Sequence, residues 1–258
     1  MINLIDTHAH LYSSEFADDI DAVISSARQA GVYRIYMPNI DGQSIEQMLA
    51  MEQAYQGYCF PMMGLHPCYV KDDFRAQLDL IETWLLKRTF SAVGEIGIDL
   101  YWDKTFIEQQ ITAFETQINW ARSLRLPVAI HCRDSVEISI DIVNKHQNGY
   151  LRGVFHCFSG TPEQARQIID MGFLLGIGGV ATFKNGGLDM LLPDIDLRHL
   201  VLETDSPYLA PVPYRGKRNQ PAYLADIAAR VASVKACSHE EVANRTTENA
   251  MNLFGHGR

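Results

Sequence analysis

Near its start the chain reads Asn3-Leu4-Ile5-Asp6-Thr7-His8-Ala9-His10, a short apolar run ending in two histidines one residue apart. Extended backbone sends alternate side chains to one face, so this reads as a β-strand whose end aims His8 and His10 at a common point. The residues after this strand decide the fold. An open doubly wound sheet announces itself with a Gly-rich turn after its first strand, and none is present. Instead, short apolar runs alternate with amphipathic stretches along the whole chain, the pattern of βα units around a parallel sheet.

Strands are predicted near residues 3–7, 33–38, 59–65, 91–98, 127–131, 153–157, 173–177 and 200–204. Helical patterns fall between them at 20–30, 45–55, 78–88, 106–124, 136–146, 162–171 and 221–234. Eight such repeats in 258 residues match the size of an α/β protein of the (β/α)8 TIM-barrel class. Ser238 precedes Glu241 by three residues, a capping-box start for an additional C-terminal helix running to about residue 254. With no linker, low-complexity segment or long charge run, residues 1–258 read as a single domain.

Composition bounds the function. The chain is 47% hydrophobic, enough for one large core, yet no apolar run reaches the roughly 18 residues a membrane span needs, so no membrane association is expected. No basic region or small-residue cleavage site precedes the first apolar run. The five cysteines form no Cys-x-x-Cys pair and read as reduced thiols. Both features make a cytoplasmic protein the expectation, and nothing implies an obligate protein partner. A net charge of −9 argues mildly against nucleic-acid binding, which draws on Lys and Arg. A local basic patch, or cations in a carboxylate-rich site, would offset it.

In a barrel, catalytic residues gather where strands end. Here strand four ends in Val93-Gly94-Glu95-Ile96-Gly97-Ile98-Asp99, strand five in Ala129-Ile130-His131, strand six in Val154-Phe155-His156 and strand eight in Leu202-Glu203-Thr204-Asp205. His8, His10, Glu95, His131, His156 and Asp205 thus fall on five strand ends. As mere barrel filling they would cost roughly a few kcal/mol each, where Val, Ile and Leu are expected. Nitrogen and carboxylate donors without thiolates suit zinc, manganese, nickel or, less well, magnesium, and six are too many for one tetrahedral site. Two divalent metal ions sharing a bridging carboxylate account for the number.

The segments carrying these residues resemble, in order, those of the TatD family of metal-dependent deoxyribonucleases, in the amidohydrolase-like superfamily. They are His8-Ala9-His10, GEIGID from Gly94, HCRD from His131, HCFSG from His156 and LETDSPYLAP from Leu202, together with the Gly64-Leu65-His66-Pro67 turn and the YRGKRNQP loop from Tyr214. The resemblance spans essentially the whole chain. It implies that His8 and His10 bind one metal and His131 and His156 the other, with Glu95 bridging. Asp205 would ligate the first metal and orient or deprotonate the attacking water. The implied reaction is phosphodiester hydrolysis from the 3′ end of single-stranded or frayed DNA. His66 matches a family histidine outside the metal shell, placed to contact a phosphate or protonate a leaving group. A structural turn histidine before Pro67 is the plain alternative.

Substrate contacts are expected from Arg133, either bidentate to phosphate or paired with Asp134 or Glu137. Arg215, Lys217 and Arg218 form the densest basic cluster, either a phosphate contact or a solvated loop. Tyr101 and Trp102 suit base stacking or capping of the barrel. Glu203 shares its strand face with Asp205 and is expected to tune a ligand, as is Asp6 beside His8. Cys132 and Cys157 each follow a ligand histidine and should therefore point outward.

Two other readings use the same residues. A small-molecule amidohydrolase or lactonase shares the barrel and the His-x-His start, but many of those carry a bridging lysine where this chain has Glu95, and the basic loop favours a polyanion. An inactive barrel kept as a binding scaffold would have lost a ligand, and none is missing.

Overall fold

The structure, a computed structural model, describes residues 3–255. Eight parallel strands appear in chain order: β1 Leu4–Asp6, β2 Val32–Pro38, β3 Cys59–Met62, β4 Val93–Asp99, β5 Val128–Arg133, β6 Gly153–Phe155, β7 Leu174–Ile177 and β8 Leu200–Leu202. Each pairs with its sequence neighbour in two ladders, β1-β2-β3 and β4 through β8. Parallel bridges at Met63 with Val93 and at Ala9 with Ser206 join the ladders at both seams, which closes the barrel.

Helices α1 Ile20–Gln29, α2 Ile45–Ala54, α3 Phe74–Lys87, α4 Ile107–Leu124, α5 Val136–His146, α6 Pro162–Asp170 and a single turn α7 Leu188–Leu191 lie between strands, and α8 Leu224–Lys235 and α9 His239–Phe254 follow β8. α7 lies between β7 and β8, where the sequence carries no helical periodicity. Ser238 Oγ accepts from the Glu241 N–H and starts α9, while the fully reciprocal capping box sits at Thr161 and Gln164 before α6.

Period two explains how the barrel builds its site. Ile5, Tyr36, Met62, Ala129, Val154 and Val201, from six strands, pack with Ala250 and Leu253 of α9, so the additional helix plugs one end. Two residues beyond Ala129, Val154 and Val201 come His131, His156 and Glu203, on the same inward face. Apolar at the plugged end and polar at the other, the interior changes chemistry within one strand repeat.

Several strands end earlier than expected: β1 at Asp6, β3 at Met62, β6 at Phe155 and β8 at Leu202. The backbone leaves the ladder there to aim its polar residues. Asp205 and Cys157 both take the left-handed conformation, with φ of 57° and 48°. Cys157 is therefore off the regular strand, and strict alternation does not fix its direction. Cys132, still on β5, packs against the main core as expected. No helix among the described residues is long and apolar enough to cross a membrane.

Candidate metal centre

Glu95 stands at the middle of the polar end, brought there by a β4 that hugs β5. Gly97 pairs with His131 and has a φ of 141°, and a Cβ at that position would lie 2.1 Å from the His131 carbonyl oxygen. Only glycine allows the approach, which accounts for the second glycine of GEIGID.

The two oxygens of Glu95 face different partners. Oε2 lies 3.0 Å from His8 Nε2 and 3.6 Å from His10 Nε2, while Asp205 Oδ1 lies 3.5 Å from His10 Nε2 and 3.8 Å from His8 Nε2. Oε1 lies 2.9 Å from both His131 Nδ1 and His156 Nε2, and 3.4 Å from His66 Nε2. The structure thus brings all six expected ligands together around one carboxylate, with His8 and His156, which approach different oxygens of Glu95, stacked 3.9 Å apart. Glu95 and His8 are almost wholly buried. A nitrogen and oxygen set of this kind fits zinc, manganese, nickel or magnesium.

Hydrogen bonds on the far side of His10 and His131 fix which nitrogen is free, whereas His8 Nδ1 is buried without one. Tyr12 Oη donates to the Pro38 carbonyl at 2.6 Å, so it meets His10 Nδ1, 3.0 Å away, as an acceptor. His10 then carries its proton on Nδ1 and turns a lone pair on Nε2 toward Glu95. Asp99 Oδ2, 3.0 Å from His131 Nε2, does the same for His131, freeing Nδ1. Glu203 Oε1 lies 3.3 Å from His156 Nδ1 as an acidic neighbour that favours a proton there, without a well-aligned hydrogen bond. These are the outer partners that orient metal-binding imidazoles. His66 is the opposite case. Its Nδ1 accepts the Cys68 N–H at 3.1 Å, so the neutral ring carries its proton on Nε2, facing the centre. Although close enough to group with Glu95 and His131, His66 presents a donor and not a lone pair.

The charges are arranged to match. Burial opposes ionisation of Glu95, but the imidazoles of His66, His8 and His156 outweigh it and hold the carboxyl well below the usual carboxylate range. Burial likewise opposes charge on His156 and His131, but Glu95 with Glu203, and Asp99 with Glu95, raise both above an ordinary histidine. Burial lowers His8 and His66. Asp6 does not touch the His8 ring. It accepts from the backbone N–H groups of His8 and Thr204, tying β1 to the end of β8, and burial pushes its carboxyl up to about 7. Glu203 also accepts from the Cys157 N–H, packing beneath Gly176, whose missing Cβ leaves room for the carboxylate.

The residues expected to contact substrate stand in different settings. Arg133 stacks its guanidinium 3.8 Å above the Tyr101 ring instead of pairing with Asp134 or Glu137. Trp102 meets Tyr101 edge-on at 5.0 Å; both residues are more than half exposed, and Tyr101 lines an open cleft of about 850 Å³. Arg215 lies over Phe183, 3.6 Å from the ring centre, and Lys217 is exposed. Arg218 is bound bidentately to Asp19 at 2.7 and 2.8 Å and points to the start of α1. Asp99 and Tyr12 are functional neighbours that sequence reasoning missed, although period two marks them: His8, His10 and Tyr12 form one series, Glu95, Gly97 and Asp99 another.

Residues 5–255 match the family described as TatD related DNase. The chain is 36% identical over 252 residues to the "Uncharacterized metal-dependent hydrolase YabD" of Bacillus subtilis, covering 97% of this chain and 98% of that one. It is 32% identical over 258 residues to the "3'-5' ssDNA/RNA exonuclease TatD" of Pantoea ananatis, covering 98% and 99%. Among solved structures, the TatD homologue YJJV of Escherichia coli K12 superposes with a TM-score of 0.93 at 29% identity, over 98% of this chain and 99% of the other.

Proposed function

Because the chain belongs to the TatD-related DNase family, we propose that it hydrolyses phosphodiester bonds from the 3′ end of single-stranded nucleic acid, DNA first, with two divalent cations that His8, His10, Asp205, His131, His156 and Glu95 would hold. The observation that carries this reading is the division of Glu95: one oxygen belongs with His8, His10 and Asp205, the other with His131 and His156. When bound, the two cations would supply Lewis-acid polarisation of the phosphodiester and lower the pKa of the attacking water.

The residues of the chain do the rest. Asp205, ionised because burial is outweighed by His10 and the neighbouring imidazoles, is suited to orient the attacking water and take its proton. As the water oxygen bonds to phosphorus, the bond to the leaving oxygen breaks. His66 holds a proton on Nε2 at the edge of the centre, placed to donate a hydrogen bond to that oxygen or to a phosphate oxygen. Arg133, Tyr101, Arg215 and Lys217 surround the centre as candidate strand contacts. The Pantoea ananatis relative, named as a 3′-5′ exonuclease of single-stranded DNA and RNA, supports the substrate and the direction of attack.

The test is hydrolysis of a 5′-labelled single-stranded DNA by the metal-loaded protein, beside an Asp205→Asn variant and an EDTA control. A ladder growing from the 3′ end and absent from both controls is expected. A metal-bound protein that leaves the strand intact would move the assignment to a small-molecule ester or amide.

A further inference from the structure

Three tyrosines surround the centre, and only one of them has a structural task. Tyr12 is fixed between the Pro38 carbonyl and His10. Tyr69 and Tyr208 stand with their rings 42% and 53% exposed and outside the buried core. Tyr69 ends the short 3-10 turn Pro67–Tyr69 after β3, its ring centre 6.1 Å from that of His66 at 78°. Tyr208 follows β8, its ring centre 6.0 Å from that of His10 at 65°. One ring thus flanks the histidine on each side of Glu95.

Neither ring hangs on a loose loop. The Tyr69 N–H donates to the His66 carbonyl at 2.9 Å, and the Tyr208 N–H to the Asp205 carbonyl at 2.8 Å. Asn219, fully buried, donates to the carbonyls of both Thr204 and Tyr208, which fastens the loop carrying Tyr208 to the strand end carrying Asp205. Two aromatic rings left half in water beside a charged centre offer flat apolar area that a flat ligand would bury.

We infer that Tyr69 and Tyr208 form a base-stacking subsite, each taking a nucleobase of an unpaired strand next to the phosphate held at the centre. This rests on the phosphodiesterase reading. Stacking is indifferent to sequence because every base has a π-face, and in a duplex those faces are already occupied, so the subsite selects for unpaired ends. Tyr69 and Tyr208 would thereby decide which strands are accepted, leaving bond breaking to the centre.

The experiment uses single-stranded oligonucleotides carrying 2-aminopurine or an abasic residue at successive positions from the 3′ end. Binding is read by fluorescence with the Asp205→Asn protein, and KM with the wild-type and tyrosine variants. Stacking is expected to quench 2-aminopurine at one or two terminal positions. Tyr69→Ala and Tyr208→Ala should each abolish one quench and raise KM about tenfold, and the Phe variants should restore both. An abasic residue at the quenched position should raise KM in the wild type and add nothing in the matching Ala variant. Abasic and Ala penalties that simply multiply, or equal quenching with duplex DNA, overturn the subsite. Quenching by a wild-type protein that hydrolyses nothing supports the subsite and overturns the phosphodiesterase reading alone.

Discussion

His66 accepts the Cys68 backbone N–H on its Nδ1 at 3.1 Å, and this one bond separates it from the four other histidines around Glu95. A ring that accepts on its outer nitrogen carries its proton on the inner one, so His66 enters the centre as a donor. His66→Ala is therefore expected to keep its full metal content, measured by mass spectrometry of the desalted protein. Its kcat should fall by about 10² or more, the usual range for loss of a hydrogen-bond donor to developing oxygen charge. A matching loss of metal would mean that His66 is a ligand.

Asp99 and Tyr12 hold different histidines, one on each side of the shared carboxylate. Asp99→Asn keeps an oxygen for the N–H groups of Tyr101 and Trp102 but removes the charge behind His131. Tyr12→Phe removes the acceptor behind His10. Each is expected to weaken metal binding by about tenfold or somewhat more, as outer partners of ligating histidines do. Calorimetric titration with zinc or manganese should show the two variants affecting different binding steps. A common effect on one step would argue against two half-sites.

Gly97→Ala tests how the approach of β4 to β5 builds the site. The new Cβ would meet the His131 carbonyl in a conformation, φ 141°, that L-residues avoid. The combined clash and backbone strain should cost about 3 kcal/mol, read by urea unfolding, and should loosen metal binding because His131 must shift. An unchanged midpoint and metal affinity would mean that the two strands are free to separate here.

The barrel and the six central residues were legible in the sequence because alternation along a strand and the clustering of function at strand ends are local rules. The α7 turn was not, since four residues leave too little periodicity to detect. Asp99 and Tyr12 fell on the right face but carried no motif of their own beyond GEIGID and His-x-His. Their roles depend on what stands behind a histidine ring, which only the three-dimensional arrangement reveals. The fate of each basic residue was equally hidden: Arg218 and Lys217 are neighbours in the chain, yet one is neutralised by Asp19 and the other is exposed.

That difference yields a prediction about strand binding. Each phosphate neutralised by a cation releases counterions, and for single strands every such phosphate adds about 0.7 to the slope of log affinity against log salt. The loop after β8 reaches the loop after β7 where Arg215 covers Phe183, and the adjoining Lys184 and Lys217 are both exposed. Lys184, Arg215 and Lys217 therefore sit on the loops after β7 and β8, the region where barrels of this class commonly hold phosphate. Lys184→Ala, Arg215→Ala and Lys217→Ala, measured by fluorescence anisotropy in the Asp205→Asn background, should each reduce the salt slope by about 0.7. Arg218→Ala should leave it unchanged, because the bidentate pair with Asp19 already satisfies that guanidinium. A reduced slope for Arg218→Ala, with none for the other three, would place the strand over α1 instead of along the loops after β7 and β8.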